Sequence, residues 1–118
     1  MDEDAVFAAL GELRADTLRR VEAMRGQVAA ITEASELTTH DDEHDPEGAT
    51  VGFERASAQS LLEAARRDLQ SIDHAEQRLR TGTYGTCDHC HAQIAAQRLE
   101  ALPTAPTCIT CASRTRRR

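Results

Sequence analysis

The chain has no tryptophan, no lysine and only three aromatic residues, Phe7, Phe53 and Tyr84. So few bulky apolar side chains leave little material for a globular core. No stretch of about 18 apolar residues occurs, which excludes a membrane-spanning helix. The opening Met1-Asp-Glu-Asp-Ala5 has neither the basic start nor the apolar centre of a secretory signal, so a cytoplasmic location is expected. Serine, histidine and aspartate are all present, yet their spacing forms no nucleophile elbow and no metal–water site with an open position. An enzyme is not expected. What remains is a chain of 118 residues, enough for one ordinary domain or two small modules. Alanine, leucine, glutamate and arginine dominate it, a mixture that suits long helices better than sheets.

Cysteine is scarce but ordered. The four present form two Cys-x-x-Cys pairs, Cys87/Cys90 and Cys108/Cys111, with 17 residues between them. That spacing predicts one tetrahedral zinc ion held by all four thiolates, because each pair offers two sulfurs from one tight turn. The alternative, a pair of disulfides, needs an oxidising compartment. His89 and His91 flank Cys90, but a structural zinc site closes at four ligands, so both are expected beside the site or in solvent.

The formal net charge of −6 is unevenly spread. Residues 1–50 carry 13 acidic and 4 basic side chains, whereas residues 51–118 carry 7 and 10. Four thiolates around one zinc add two further negative charges. Such a chain is not expected to coat DNA, whose non-specific affinity comes from neutralising phosphates. The exception is the tail Arg114-Thr-Arg-Arg-Arg118, which reads either as a solvated helix end or as a nucleic-acid contact.

Residues from about 3 to 37 read as one helix. Leu10, Thr17, Met24 and Ile31 recur every seven residues, with Val21 and Val28 between them at the matching offsets. Leu13 and Leu18 widen the stripe, and Arg14 and Ser35 are imperfect members of it. Asp2, Glu3 and Asp4 suit the positive end of the helix dipole. A second helix is predicted from about 50 to 80, with Ala58, Leu62, Ala65, Leu69, Ile72 and Leu79 on its stripe and Glu76 as the one misfit. Gly82-Thr-Tyr-Gly85 ends it and turns the chain into the first cysteine pair. Both stripes are narrow, so the helices must pair. A connection of about a dozen residues points to antiparallel pairing within the chain; an intermolecular coiled coil is the alternative. A helix of about 35 residues is roughly 50 Å long at 1.5 Å per residue, so the expected hairpin is a rod.

The connection, Thr38-Thr-His-Asp-Asp-Glu-His-Asp-Pro-Glu-Gly-Ala-Thr50, gathers Asp41, Asp42, Glu43, Asp45 and Glu47 at the far tip. Asp45-Pro46-Glu47 also makes a good helix start, with Asp as N-cap and Pro at the first helical position. Capping leaves the three preceding acids unexplained. They are either a solvated loop or a cluster that meets something positive or metallic. His40 and His44 lie in the same loop, and His74 falls off the second stripe on the helix surface.

Around the cysteines the chain reads Gly82-Thr-Tyr-Gly-Thr-Cys87, Cys90, Ile94, Arg98-Leu-Glu-Ala-Leu-Pro-Thr-Ala105 and Cys108-Ile-Thr-Cys111. In these residues, and in a helical hairpin with an acidic tip placed before them, it resembles the DksA/TraR family of bacterial transcription regulators. The tip looks like those of its short, Arg-rich members. The resemblance implies a mainly α protein: a long antiparallel hairpin over residues 1–81 with its tip at about 38–50, then a four-cysteine zinc finger and short C-terminal helix over 82–118. It implies a monomer that binds RNA polymerase rather than a DNA sequence and inserts the hairpin into the secondary channel. There Asp42, Asp45, Glu47 and Ala49 would lie near the catalytic Mg²⁺ and alter open-complex lifetime.

Two departures stand out. The family's tip pattern, Asp-x-x-Asp-x-Ala, is met in no register: Asp42 and Asp45 put Glu47 where Ala is expected. Members that respond to guanosine tetraphosphate carry basic residues where this chain has Leu102 and Ala112, which argues against that pocket. A reading of a different class is a DNA-binding or scaffolding zinc-finger protein that dimerises through its helices.

Overall fold

The computed structural model describes residues 2–37 and 46–116. Four helices follow one another: α1 over Glu3–Leu37, α2 over Pro46–Thr81, α3 over Ala96–Ala101 and α4 over Ile109–Arg116. Among the described residues the only extended pairing is a single antiparallel bridge between Thr86 and Gln93. The fold is mainly α, as the composition predicts.

Helix α1 begins on a cap. Asp2 Oδ1 accepts the backbone N–H groups of Asp4 (3.1 Å) and Ala5 (3.3 Å), two donors that the helix itself leaves unpaired. Asp2 therefore precedes the helix, while Glu3 and Asp4 sit in its positive first turn. The heptad stripe is the buried one. Leu10 and Thr17 are fully buried, and Arg14, Val21, Met24, Val28, Ile31 and Ser35 are half-buried. Leu13 joins them, but Leu18 is exposed and does not widen the stripe as expected. Its 100° steps carry it past the edge of the seam that Thr17 and Val21 define.

Helix α2 starts at Pro46, earlier than the apolar stripe alone indicates. Proline suits the first helical position, where its missing N–H costs nothing. Ala58, Leu62, Ala65 and Ile72 are buried as predicted, and Leu69 and Leu79 are half-buried. Ala75 is buried as well. Burying one Leu or Ile side chain contributes about 1.5–3 kcal/mol, so a narrow seam of this kind suffices to hold two helices together.

Two compact units make up the chain, one formed by Met1–Arg14 with Gln70–Arg118 and the other by Ala15–Leu69. In the first, Arg14 pairs with Asp73 and Glu76; in the second, Arg20 Nη1 lies 3.3 Å from Asp68 Oδ2. Within each unit a residue of α1 thus pairs with one of α2, the association that the two narrow stripes predict.

Candidate metal centre

The end of α2 delivers the chain into the cysteine module through a glycine cap. Gly82 adopts φ +77°, a backbone region that other residues resist. The N–H of Thr83 then reaches back to the Arg78 carbonyl (2.9 Å) and that of Gly82 to the Leu79 carbonyl (3.4 Å). These two bonds are the Schellman pattern, which satisfies carbonyls the helix would otherwise leave bare. Gly85, at φ +86°, makes a second left-handed turn, and its carbonyl accepts the Ile94 N–H at 2.7 Å.

Both cysteine pairs form the same turn. The N–H of Cys90 points at Cys87 Sγ (3.5 Å), and that of Cys111 at Cys108 Sγ (3.5 Å). The turns close alike too: His91 N–H donates to the Cys87 carbonyl (3.0 Å) and Ala112 N–H to the Cys108 carbonyl (2.9 Å). Cys108 directly precedes α4, so its sulfur caps that helix in the way a Ser or Asp oxygen would.

All four Sγ atoms lie within 4.8 Å of one another, and Cys90 Sγ is 3.8 Å from Cys108 Sγ. Tetrahedral zinc with Zn–S bonds of about 2.3 Å places sulfurs about 3.8 Å apart. The four thiols are free, so the disulfide alternative is not formed. The donor set and its spacing suit one zinc ion.

The electrostatics lead to the same conclusion. Backbone N–H groups, that of Cys90 foremost, lower the Cys87 thiol to about 5. The Cys111 N–H lowers the Cys108 thiol in the same way. Cys111 goes the opposite way: burial, with the neighbouring sulfurs adding, pushes it up to about 12. Four thiolates crowded together need a cation before the last of them ionises, and a divalent metal supplies that charge.

A small core locks the two turns together. Cys87, Ile94, Leu99, Ala105 and Cys111 are buried in one cluster, with Tyr84 and Cys108 packed against it. Tyr84 Oη donates to the Pro103 carbonyl (2.7 Å), and Arg98 Nε to the Thr107 carbonyl (2.9 Å) just ahead of Cys108. The residues flanking the cysteines in the sequence are thus the packing that aligns the sulfurs.

His89 and His91 are exposed and stay outside the sulfur cluster, as expected. His91 holds φ +63°, an unusual value for a residue other than glycine, at the point where the first turn closes. Leu102 is exposed and Ala112 half-buried, and neither offers a cation. Asp42 and Asp45 lie outside the described residues, together with His40 and His44. Glu47 lies in the first turn of α2, its side chain outside the description, and Ala49 is exposed two residues on. His74 is on the surface, yet its Nε2 lies 3.0 Å from Asp88 Oδ2. Asp88 and Arg78 went unmarked in the sequence, although an acid inside a cysteine pair and an arginine in the last turn of the preceding helix are a signal.

Residues 82–117 match the family model for the prokaryotic dksA/traR C4-type zinc finger. Over these residues the chain is similar to the DksA/TraR zinc finger. General stress protein 16O of Bacillus subtilis is 34% identical over 73 residues, covering 62% of this chain and 45% of that protein. The RNA polymerase-binding transcription factor DksA of Haemophilus influenzae is 41% identical over 46 residues, or 39% of this chain and 32% of that one. The chain thus spans less than half the length of the curated relatives it matches. The solved structure of transcription factor DksA2 from Pseudomonas aeruginosa superimposes with a TM-score of 0.77 at 26% identity, covering 98% of this chain and 83% of that one. The likeness to DksA2 therefore extends beyond the finger to both long helices.

Proposed function

We propose that this protein is a transcription regulator that binds RNA polymerase directly and acts through the tip of its helical hairpin. The observation that carries the proposal is the agreement of the whole fold with DksA2, over 98% of the chain, combined with a finger similar to that of the DksA/TraR family. The Haemophilus relative is named for polymerase binding, and we extend that partner to this chain.

The zinc finger has a structural part: it fixes the end of α2 and offers a surface for the outside of the polymerase. The hairpin enters the secondary channel, and the connection between α1 and α2, with Asp42 and Asp45, and the first turn of α2, with Glu47, carry carboxylates toward the catalytic Mg²⁺. Carboxylates near a divalent ion or a basic mobile element act strongly there, because the local dielectric is low. The outcome is a changed lifetime of the open complex. The protein works as a monomer and in the cytoplasm, with no DNA sequence of its own to read.

The test is co-purification with core RNA polymerase, followed by transcription in vitro with and without the protein. Stoichiometric binding with a changed open-complex lifetime is expected. Dimerisation, together with salt-sensitive binding to DNA and none to polymerase, is the outcome that replaces this reading with a DNA-binding scaffold.

A further inference from the structure

Asp88 stands between the first two sulfur ligands, and its side chain is gripped from outside the cysteine turn. His74 and Arg78, four residues apart on one face of α2, both reach it. Arg78 Nη1 forms an ion pair with Asp88 Oδ1, and His74 Nε2 lies 3.0 Å from Oδ2. The Asp88 N–H, meanwhile, donates to the Pro106 carbonyl (2.8 Å), two residues before Cys108. One residue therefore touches the helix, the first cysteine turn and the approach to the second.

Arg78 is equally committed. Its side chain is 15% exposed. Its Nη2 donates to the carbonyls of Thr83 (2.7 Å) and Thr86, while its own carbonyl accepts the N–H groups of Thr83 and Tyr84. The last turn of α2 and the path into Cys87 thus share one guanidinium. An arginine suits this because its planar fork holds several donors in fixed directions, whereas a lysine's three sit on one rotatable ammonium.

We propose that the Arg78–Asp88 pair, braced by His74, is the coupling through which zinc occupancy sets the order of the last turns of α2. Asp88 holds its place because Cys87 and Cys90 are wrapped around one ion. Releasing the ion loosens that turn, withdraws the carboxylate from Arg78 and frees the cap that Arg78 completes. Coupling of this kind is reciprocal, so losing the pair also weakens zinc binding. The inference rests on the metal centre and not on the polymerase partner.

The test is amide hydrogen exchange at Thr83 and Tyr84, whose N–H groups bond to the Arg78 carbonyl, with and without zinc. In the unaltered protein, chelation should speed exchange there by about tenfold or more. Asp88→Asn should raise exchange in the zinc-loaded state, shrink its dependence on zinc and lower zinc affinity by a similar factor. Arg78→Lys should fall between the two. Cobalt substitution reads the four-sulfur site separately, and its tetrahedral spectrum should be unchanged in both variants. If Asp88→Asn keeps the protection and the zinc dependence of the unaltered protein, the proposal is overturned. Faster exchange that retains the full zinc dependence overturns it too, because the pair then stabilises α2 without coupling it to the metal.

Discussion

Arg14 and Glu76, the charged residues that interrupt the apolar stripes of α1 and α2, pair with each other: Arg14 Nε donates to Glu76 Oε1 at 3.0 Å. Glu76 is only 8% exposed, and Arg80 Nη2 approaches its other oxygen at 3.7 Å. Arg14 also binds Asp73, and these two carboxylates, Asp73 foremost, raise the pKa of its guanidinium. Neither misfit is a defect of its own helix; each is the other's partner across the two helices.

Removing one partner should hurt more than removing both. Arg14→Leu leaves the mostly buried Glu76 carboxylate with only the more distant Arg80 and should cost about 2 kcal/mol, discounted for the solvent that reaches Arg14. Arg14→Leu with Glu76→Leu should recover most of that loss, since an apolar pair of similar size often matches a buried ion pair. Urea unfolding of the two single variants and the double variant measures the coupling. Strict additivity would show that the two side chains do not act as a pair.

That pair also marks how far the sequence could be read. The seven-residue spacing of Leu10, Thr17, Met24 and Ile31 was enough to name the buried face of α1, because helix geometry turns spacing directly into a face. The glycine cap at Gly82 and the four sulfurs were legible for the same reason: left-handed turns and metal ligands demand particular residue types. The partnership of Arg14 with Glu76, and of Arg78 with Asp88, was not legible. Each joins residues on different elements, and their meeting depends on a register that one-dimensional periodicity leaves free. Leu18 was misplaced for a related reason, since an apolar residue beside a seam need not enter it.

Gly26 lies in the interior of α1 and faces solvent, with nothing within 4 Å of where a Cβ would stand. Glycine costs about 0.5–1 kcal/mol relative to alanine at such a position. Gly26→Ala should therefore raise the urea midpoint by a corresponding amount with the slope unchanged. A destabilised variant would mean that the face around Gly26 is in contact with something.

The finger should depend on its metal. Zinc contributes on the order of 10 kcal/mol to the folding of small fingers. Cys108→Ser removes a ligand while its hydroxyl can still cap α4, so the core of Ile94, Leu99 and Ala105 should come apart through loss of the metal. Metal analysis should fall from one zinc per chain to little or none, and the Tyr84 hydroxyl should lose its shelter. Helical circular dichroism should largely survive, because α1 and α2 hold most of the helix. A variant that keeps a full zinc and a folded finger would show that three sulfurs suffice.

No cation stands at Leu102, which is exposed, or at Ala112. Guanosine tetraphosphate should therefore leave this protein's effect on transcription unchanged, once its action on polymerase alone is subtracted. Synergy that disappears on changing residues beside Leu102 would mean that phosphate is held there by other means.

Binding and activity should separate at the tip. The polymerase would grip the finger and the helices, so charge in the connection between α1 and α2 and in the first turn of α2 contributes little to docking. The same charge counts heavily beside a catalytic Mg²⁺, where water does not screen it. Replacing Asp42, Asp45 and Glu47 together with Asn, Asn and Gln keeps shape and hydrogen bonding while removing three negative charges. Affinity for polymerase should fall by no more than about tenfold, equivalent to about 1.4 kcal/mol, whereas the change in open-complex lifetime should vanish. Asp45→Asn alone is the gentler test, since asparagine still caps a helix and only the charge is lost. A triple variant that regulates as before would reduce the acidic tip to a solvated turn, and the action at the catalytic centre would have to come from elsewhere on the hairpin.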